Sequence, residues 1–160
     1  MSEKRIKVWI GSDHGGYDLK GKIWEKLVED ESYDVIDVGS HNERSVDYPD
    51  FGWVVAESVG GYIESGEGEA FGILVCGTGI GMSMVANRRR GVRAAVVTDL
   101  YCAEMTRRHN NANVLCLGAR VIDDEMALGI VEKFLSEEFE GGRHERRVDK
   151  IHECEKKRLY

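Results

Sequence analysis

The stretch ILVCGTGIGMSMVANR, from Ile73 to Arg88, carries the pattern that decides the fold. A short apolar run ends at a cysteine, glycines then alternate with small residues, and an apolar helix-like pattern follows at once. A strand that is apolar on both faces is typical of a parallel sheet covered by helices on both sides. The stretch therefore predicts a strand, a tight glycine loop and a helix of an α/β protein.

The same alternation of short apolar runs and amphipathic stretches continues along the chain. Strands are predicted at Ile6 to Ile10, Val35 to Val38, Phe71 to Cys76, Val92 to Val97 and Val114 to Leu117. Helices are predicted near Leu19 to Glu29, Phe51 to Glu64, Ile80 to Arg89, Leu100 to Asn110, Asp124 to Glu138 and Arg143 to Arg158. We expect an α/β fold, a three-layer α/β/α sandwich with a five-stranded parallel sheet and an extra C-terminal helix.

Length and composition fit a single soluble domain. The chain has 160 residues, of which 42% are hydrophobic, and this suffices for one core without disulfides or metals. No apolar run approaches the roughly 20 residues of a membrane-spanning helix, and the start MSEKRIK does not lead into a signal-peptide core. We therefore expect residues 1–160 to form one cytoplasmic domain with no membrane partner.

The cysteines give no sign of a disulfide or of a structural metal site. Cys76, Cys102, Cys116 and Cys154 contain no CxxC pair and no zinc-like spacing. Three of them lie in apolar contexts that suit reduced, buried thiols. No metal is expected.

The charge of the chain excludes one class of partner. A formal net charge of -7 and a pI near 5.3 argue against nucleic-acid binding, which normally needs a basic face. The basic residues are concentrated in NRRRGVR (87–93), RRH (107–109) and GGRHERR (141–147). Such runs are usually exposed to solvent on the surface of a helix. The alternative is that they bind a small anionic ligand.

In open parallel sheets the ligand crevice lies beyond the carboxyl ends of the strands. Gly77 to Gly81 follow the third predicted strand and lead into a helix, so their N–H groups can form a nest for an anion. Cys76 stands at the mouth of this loop, where the helix dipole and the amides should favour its thiolate. The sequence predicts a proton acceptor beside donors that hold the resulting charge, and the alternative is a buried structural cysteine beside a tight turn.

Other polar side chains bracket the predicted strands. Asp13 and His14 follow the first strand. Their alternative roles are a helix cap for Asp13 and a solvent-exposed surface residue for His14. His109 and Asn110 precede the last strand and Arg120 follows it, in segments that could equally be plain loop. These five residues are candidate ligands of a small polar molecule.

The final basic run offers a phosphate clamp. Arg143 and Arg147 are four residues apart, hence on one face of a helix, and paired guanidinium groups suit a phosphate. A proton acceptor, an anion nest, a histidine and a phosphate clamp are together the parts needed to shift a proton between adjacent carbons of a phosphorylated sugar.

Five motifs in order along nearly the whole chain resemble the ribose-5-phosphate isomerase B family, namely GSDHGGYDLK, DYPDF, ILVCGTGIGMSMVANR, HNNANVLCLGAR and EGGRHERRV. This family also contains the galactose-6-phosphate and allose-6-phosphate isomerases. The resemblance implies interconversion of ribose 5-phosphate and ribulose 5-phosphate through a cis-enediolate, in the non-oxidative pentose phosphate pathway. It also implies no metal or cofactor, a Rossmann-like fold, and a homodimer or homotetramer with shared active sites.

The resemblance also implies a role for each matching residue. Cys76 corresponds to the catalytic base, Thr78 assists the anion hole through its hydroxyl, and His109 opens the furanose ring. The implied substrate-binding residues are Asp13, His14, Tyr48, Gly77, Gly79, Ile80, Gly81, Asn110, Arg120, Arg143 and Arg147. Because family sites combine two subunits, His109 and Asn110 are expected to reach the partner's Cys76.

One branch of the family lacks the cysteine and uses a glutamate later in the glycine loop, where this chain has Met82. The cysteine branch is therefore indicated. Gly15, where alanine is common, and Trp9, in a strand usually built from smaller residues, are mild departures. Three rival interpretations remain at this point: an allose- or galactose-6-phosphate isomerase, a non-catalytic sensor of a phosphorylated metabolite, and a redox sensor at Cys76. Galactose-6-phosphate isomerases combine two different chains, so the full residue set here favours a homomeric pentose enzyme.

Overall fold

The structure is a computed structural model that describes residues 5–157. Its strands are β1 (Ile6–Ser12), β2 (Tyr33–Asp37), β3 (Ala70–Cys76), β4 (Ala94–Val96) and β5 (Val114–Gly118). Its helices are α1 (Tyr17–Val28), α2 (Tyr48–Glu64), α3 (Ile80–Ala86), α4 (Leu100–Arg108), α5 (Asp124–Ser136) and α6 (Arg143–Lys157). The strands form one parallel sheet, as the apolar runs predicted. Their order in the sheet is β2-β1-β3-β5-β4.

The sheet is covered on both faces, because its central strands present apolar side chains alternately to each side. On one face, Ile10, Ile73 and Leu115 pack against α1 and α5. On the other face, Leu74 and Cys116 pack against α2 and α3. All seven residues of β3 are buried, which is why this strand reads as a continuous apolar run.

The chain connection places a crevice above the centre of the sheet. β1 and β3 are neighbours, and the helix that follows β1 lies on the opposite face from the helix that follows β3. The loops that leave the carboxyl ends of β1 and β3 therefore diverge and leave a cleft between them. Asp13 follows β1 directly, and Cys76 ends β3.

The predicted element bounds need small corrections. The helix predicted from Phe51 begins at Tyr48, so Pro49 belongs to its first turn, where the missing N–H costs no hydrogen bond. The strand predicted over 92–97 is only Ala94–Val96, an edge strand paired on one side. Other helix ends differ as well, since α1 spans Tyr17–Val28, α3 stops at Ala86, α4 at Arg108 and α5 at Ser136. The predicted end of the last helix, Arg158, lies outside the described residues.

The expectation of three buried cysteines is wrong by one. Cys76 and Cys116 are buried, whereas Cys102 and Cys154 are exposed. Cys102 lies in the first turn of α4, on the side of the helix away from the sheet, where an apolar neighbourhood in sequence does not mean burial in space. Within residues 5–157, no helix combines the length and the apolar character required to traverse a bilayer.

Candidate active site

Cys76 ends the central strand and faces the glycine loop. Its Sγ accepts a hydrogen bond from the N–H of Gly79 at 3.1 Å, and its carbonyl oxygen accepts one from the N–H of Ala119 at 2.9 Å. Gly79 has a φ of 77°, a left-handed conformation that glycine adopts without strain. This conformation turns the amide back toward the sulfur, so a negative charge on Sγ has a fixed donor beside it.

A second buried cysteine shows that burial alone does not make a reactive thiol. Cys116 lies inside β5 and is fully buried, and both burial and the charge of nearby Cys76 raise the pKa of its thiol. Cys116 is therefore held as a neutral thiol. Cys76 differs because it lies at the strand end, where loop amides replace the water that the core excludes.

The glycine loop is shaped by close contacts at each of its glycines. A Cβ atom on Gly81 would lie 2.6 Å from Cζ of Tyr48, so the tyrosine ring rests directly on this backbone. A Cβ atom on Gly77 would lie 3.2 Å from Nη1 of Arg120. The loop is thus covered on one side by a phenol and on another by a guanidinium group.

Asp13 and Arg120 lie on the same side of the cleft. Asp13 is 9% exposed, and its Oδ1 accepts the N–H of Gly16 at 3.0 Å. A Cβ atom on Gly15 would lie 3.3 Å from Oδ1 of Asp13 and 3.5 Å from Nη2 of Arg120. The two opposite charges therefore approach one backbone position, and together they offer acceptors and donors to a polyhydroxylated ligand.

The remaining residues predicted at this edge are more exposed. Nδ1 of His14 accepts the N–H of Val46 at 3.3 Å, which leaves Nε2 as the protonated nitrogen of the neutral ring. Oγ1 of Thr78 accepts the N–H of Ile80 at 3.4 Å, and the Ile80 side chain is 50% exposed. These side chains border the opening of the cleft.

The structure separates the predicted site residues into two groups. The carboxyl edge of the sheet carries Asp13, His14, Tyr48, Cys76, Gly77, Thr78, Gly79, Ile80, Gly81 and Arg120. The amino edge carries His109, Asn110, Arg143 and Arg147.

The sheet register shows why the two groups are apart within one chain. Cys76 pairs with Gly118 at one end of β5, and Gly72 pairs with Val114 at the other end. His109 caps the end of α4 and precedes Val114 by one short loop. At about 3.3 Å per residue, β5 alone separates the two levels by roughly 13 Å. A single chain does not bring His109 to Cys76.

At the amino edge, the end of α4 adjoins α6. His109 and His144 stack with ring centroids 4.1 Å apart and an angle of 5° between the ring planes. Nε of Arg143 donates to Nε2 of His144 at 3.4 Å. Asn110 is exposed and lines a cavity of about 410 Å³ between α4 and α6. Arg147 lies one turn beyond Arg143 on α6 and is exposed, as the spacing predicted.

Arg89, in the first basic run, has a structural role. Nη1 and Nη2 of Arg89 donate to the two carboxylate oxygens of Glu64 at 2.9 and 2.8 Å. Nε of Arg89 lies 2.8 Å from Oε2 of Glu57. This guanidinium group ties α2 to the end of α3.

His109, Glu140 and His144 are donors of the type that bind transition metals, and their ligand atoms lie within 4.8 Å of one another. The two imidazole rings lie in nearly parallel planes that are stacked one above the other, so no nearby point lies in both planes. A metal ion needs lone pairs that converge on one point, and it lies in the plane of each imidazole ligand. The observed arrangement therefore does not fit a chelated metal.

Three residues near the two edges of the sheet were not predicted from the sequence, namely Glu140, His144 and Lys20. Glu140 and His144 stand beside the paired arginines, and their four-residue spacing was a usable signal. Lys20 was missed because a lysine four residues into a helix normally points to water. It is 1% exposed here, and its Nζ donates to both carboxylate oxygens of Asp37, at 2.6 and 2.7 Å, and to the carbonyl of Ser40 at 2.7 Å.

Comparison with known proteins shows to which family the chain belongs. A sequence model described as Ribose/Galactose Isomerase matches residues 8–151. Ribose-5-phosphate isomerase B of Escherichia coli is 43% identical over 152 residues, which are 95% of this chain and 98% of that protein. The chain belongs to the ribose/galactose isomerase family. The resemblance of the five motifs is thereby confirmed.

Solved structures of the ribose/galactose isomerase family share the fold. Ribose-5-phosphate isomerase B of Clostridium thermocellum is 53% identical with a TM-score of 0.87, covering 95% of this chain and 99% of that one. The same enzyme of Mycoplasma genitalium, solved with bound ribulose-5-phosphate, is 42% identical with a TM-score of 0.88, covering 96% and 99%. The predicted Rossmann-like α/β fold with a five-stranded parallel sheet is confirmed.

Proposed function

We propose that this protein is an aldose-ketose isomerase that interconverts ribose 5-phosphate and ribulose 5-phosphate. The observation that carries the proposal is the sulfur of Cys76, which lies at the end of β3 with the amide of Gly79 at 3.1 Å. Full-length relatives in the same family bear the name ribose-5-phosphate isomerase B, and one was solved with bound ribulose-5-phosphate.

The first chemical step opens the sugar ring. The bond between C1 and the ring oxygen breaks, His109 gives a proton to that oxygen, and the C1 hydroxyl loses its proton to solvent as the aldehyde forms. A histidine suits this step because its ordinary pKa lies near neutral pH.

The second step moves a proton between carbons. The thiolate of Cys76 takes the C2 proton, and the electrons pass to the aldehyde oxygen, which gives a cis-enediolate. The same thiol then protonates C1 while the O2 proton passes to O1, and ribulose 5-phosphate results. The amides of the glycine loop and the hydroxyl of Thr78 hold the enediolate charge, and one such donor typically contributes about 2.7–4 kcal/mol.

We propose that a second copy of the chain completes each site. His109, Asn110, Arg143 and Arg147 lie at the opposite edge of the sheet from Cys76, so a neighbouring subunit in a homodimer or homotetramer must supply them. The two arginines then bind the phosphate with planar forks of donors. We also infer that the single domain of residues 1–160 works in the cytoplasm, because charged sugar phosphates do not cross membranes.

The direct test is the turnover of ribose 5-phosphate by wild type and Cys76→Ala. We expect Cys76→Ala to lose isomerisation while it still binds sugar phosphate, because the base is gone and the phosphate clamp is intact. Cys102→Ala, which removes an exposed cysteine, should match wild type. A Cys76→Ala protein that kept more than about a tenth of wild-type kcat would reject the assignment of the base.

The same assay separates the pentose enzyme from its nearest rival. Allose 6-phosphate and galactose 6-phosphate require the same proton transfer on a longer chain. We expect ribose 5-phosphate to give the highest kcat/KM of the three substrates. A higher value for either hexose phosphate would reassign the substrate, and ligand-induced stabilisation without turnover would indicate a sensor instead of an enzyme.

A further inference from the structure

Three side chains from three neighbouring segments meet at the amino edge of the sheet. His109 comes from the end of α4, Glu140 from the loop before α6, and His144 from the first turn of α6. Oε2 of Glu140 lies 3.8 Å from Nε2 of His109 and 3.6 Å from Nε2 of His144. With the imidazole rings stacked 4.1 Å apart, the carboxylate lies at the same edge of both rings.

His144 is held in its neutral form. Its side chain is 8% exposed, and burial together with the charges of His109 and Arg143 lowers the pKa of the ring. Nε of Arg143 also donates to Nε2 of His144 at 3.4 Å, so this nitrogen accepts and carries no proton. The side chain of His109 is more open, at 34% exposed.

Glu140 is fixed by α4 from two directions. Its N–H donates to the carbonyl of Arg108 at 3.0 Å, and its Oε1 accepts from Nε of Arg108 at 2.7 Å. Arg108 also donates to Glu104, so its charge is shared between two carboxylates. The charged groups that face the imidazole pair are thus Arg108 on α4, Glu140 in the loop, and Arg143 and Arg147 on α6.

We propose that Glu140 and His144 are positioning residues for His109. His144 is a neutral platform that fixes the plane of the His109 ring by stacking, and Glu140 places a carboxylate at the Nε2 edge of both rings, which limits how the His109 ring can turn. The inference rests on the proposed function, in which His109 gives a proton to the ring oxygen of the substrate.

The physical reason is the packing of the two rings. Burial and the donor Arg143 hold His144 neutral, so His144 stacks on His109 at 4.1 Å without placing a second charge there. Glu140, held by Arg108, lies at the common edge of both rings. The His109 ring is thereby fixed in orientation, and it is the more open of the two rings and the one able to meet a substrate.

The test compares Glu140→Gln, His144→Phe and His144→Ala in the full-length enzyme. We expect Glu140→Gln to lower kcat for ribose 5-phosphate about tenfold at neutral pH. His144→Phe, which keeps a ring in place, should stay near wild type, whereas His144→Ala should lose about tenfold in kcat.

Two controls separate positioning from general damage. Glu138→Gln changes an exposed glutamate of the same segment that forms no ion pair within residues 5–157, and it should match wild type. Binding of 5-phosphoribonate, which has no ring to open, should be unchanged in Glu140→Gln and His144→Ala. A wild-type kcat in Glu140→Gln, equal kcat in His144→Phe and His144→Ala, or weakened 5-phosphoribonate binding would each overturn the inference. An inactive wild type would instead refute the proposed isomerase function.

Discussion

At the scale of single residues, the position along a strand decides what a cysteine can do. Cys76 and Cys116 lie on neighbouring strands of the same sheet, and both belong to the same apolar cluster. Cys116 is fully buried among the apolar side chains of this cluster, whereas Cys76 accepts a hydrogen bond from the amide of Gly79. Cys76 lies two residues closer to the carboxyl end of its strand than Cys116 does. This difference makes Cys76 a candidate base and leaves Cys116 a packing residue.

A first prediction at this scale concerns Gly81. A Cβ atom there would lie 2.6 Å from the Tyr48 ring, so Gly81→Ala must push this ring away from the loop. We expect kcat/KM for ribose 5-phosphate to fall about tenfold or more, because small displacements of a positioned group are costly. Gly21→Ala is the matched control, since nothing lies within 4 Å of its Cβ in α1. Gly21→Ala should keep wild-type activity and raise the free energy of unfolding by about 1 kcal/mol.

A second prediction follows from the neutral state of His144. Folding lowers the pKa of this ring below its ordinary value of 6.5. The unfolded chain therefore binds more protons there, and this contribution to stability is complete above pH 6.5 and is lost as the pH falls toward the folded-state pKa. His144→Gln should show a smaller loss of stability between neutral and mildly acidic pH. Urea denaturation at the two pH values measures it, and an unchanged pH dependence would contradict the prediction.

At the scale of secondary-structure elements, a buried lysine joins α1 to the end of β2. Lys20 is 1% exposed, and its ammonium group makes three hydrogen bonds to Asp37 and to the carbonyl of Ser40. Ser40 begins the loop that runs toward His14 and Tyr48. The ion pair therefore anchors one wall of the cleft.

Removing this lysine should destabilise the protein strongly. Lys20→Met keeps the aliphatic stem but leaves Asp37 without its partner, and we expect the unfolding free energy to fall by about 3 kcal/mol. Lys22→Met, which breaks the exposed pairs with Asp18 and Asp124, should barely move the urea midpoint. Equal urea midpoints for Lys20→Met and Lys22→Met would show that the buried ion pair contributes no more to stability than the exposed pairs.

The sequence predicted these elements unevenly, for physical reasons. Every strand and helix was found, because apolar periodicity records which side chains the sheet and helices bury. The bounds were less accurate at helix ends: the second helix was predicted from Phe51, yet it begins at Tyr48 with Pro49 in its first turn. Lys20 could not be foreseen, because its burial depends on Asp37 and Ser40, which are distant along the chain.

At the scale of the whole molecule, the sequence indicated the type of reaction better than it indicated where the candidate site residues lie. The motifs named ten residues at the carboxyl edge and four at the amino edge. His109 and Asn110 precede the last predicted strand, whereas Cys76 ends the third, so in a parallel sheet their positions carried a signal of the separation. That separation depends on the direction of α4, which runs back from the carboxyl to the amino edge between β4 and β5. Only the expectation of a shared site, which came from the family resemblance, anticipated it.

The separation makes a decisive prediction about assembly. If each site takes Cys76 from one subunit and His109 from another, Cys76→Ala and His109→Ala proteins that are inactive alone should regain activity when they are unfolded together and refolded. In a mixed dimer both changes fall in one site and the other site is intact, so random pairing should restore about a quarter of wild-type activity. Refolding Cys76→Ala with Cys76→Ser should restore none, because every site then lacks the thiol. Failure of the first mixture, with subunit exchange verified by mass, would show that each chain uses its own His109 and that the two edges do not combine across subunits.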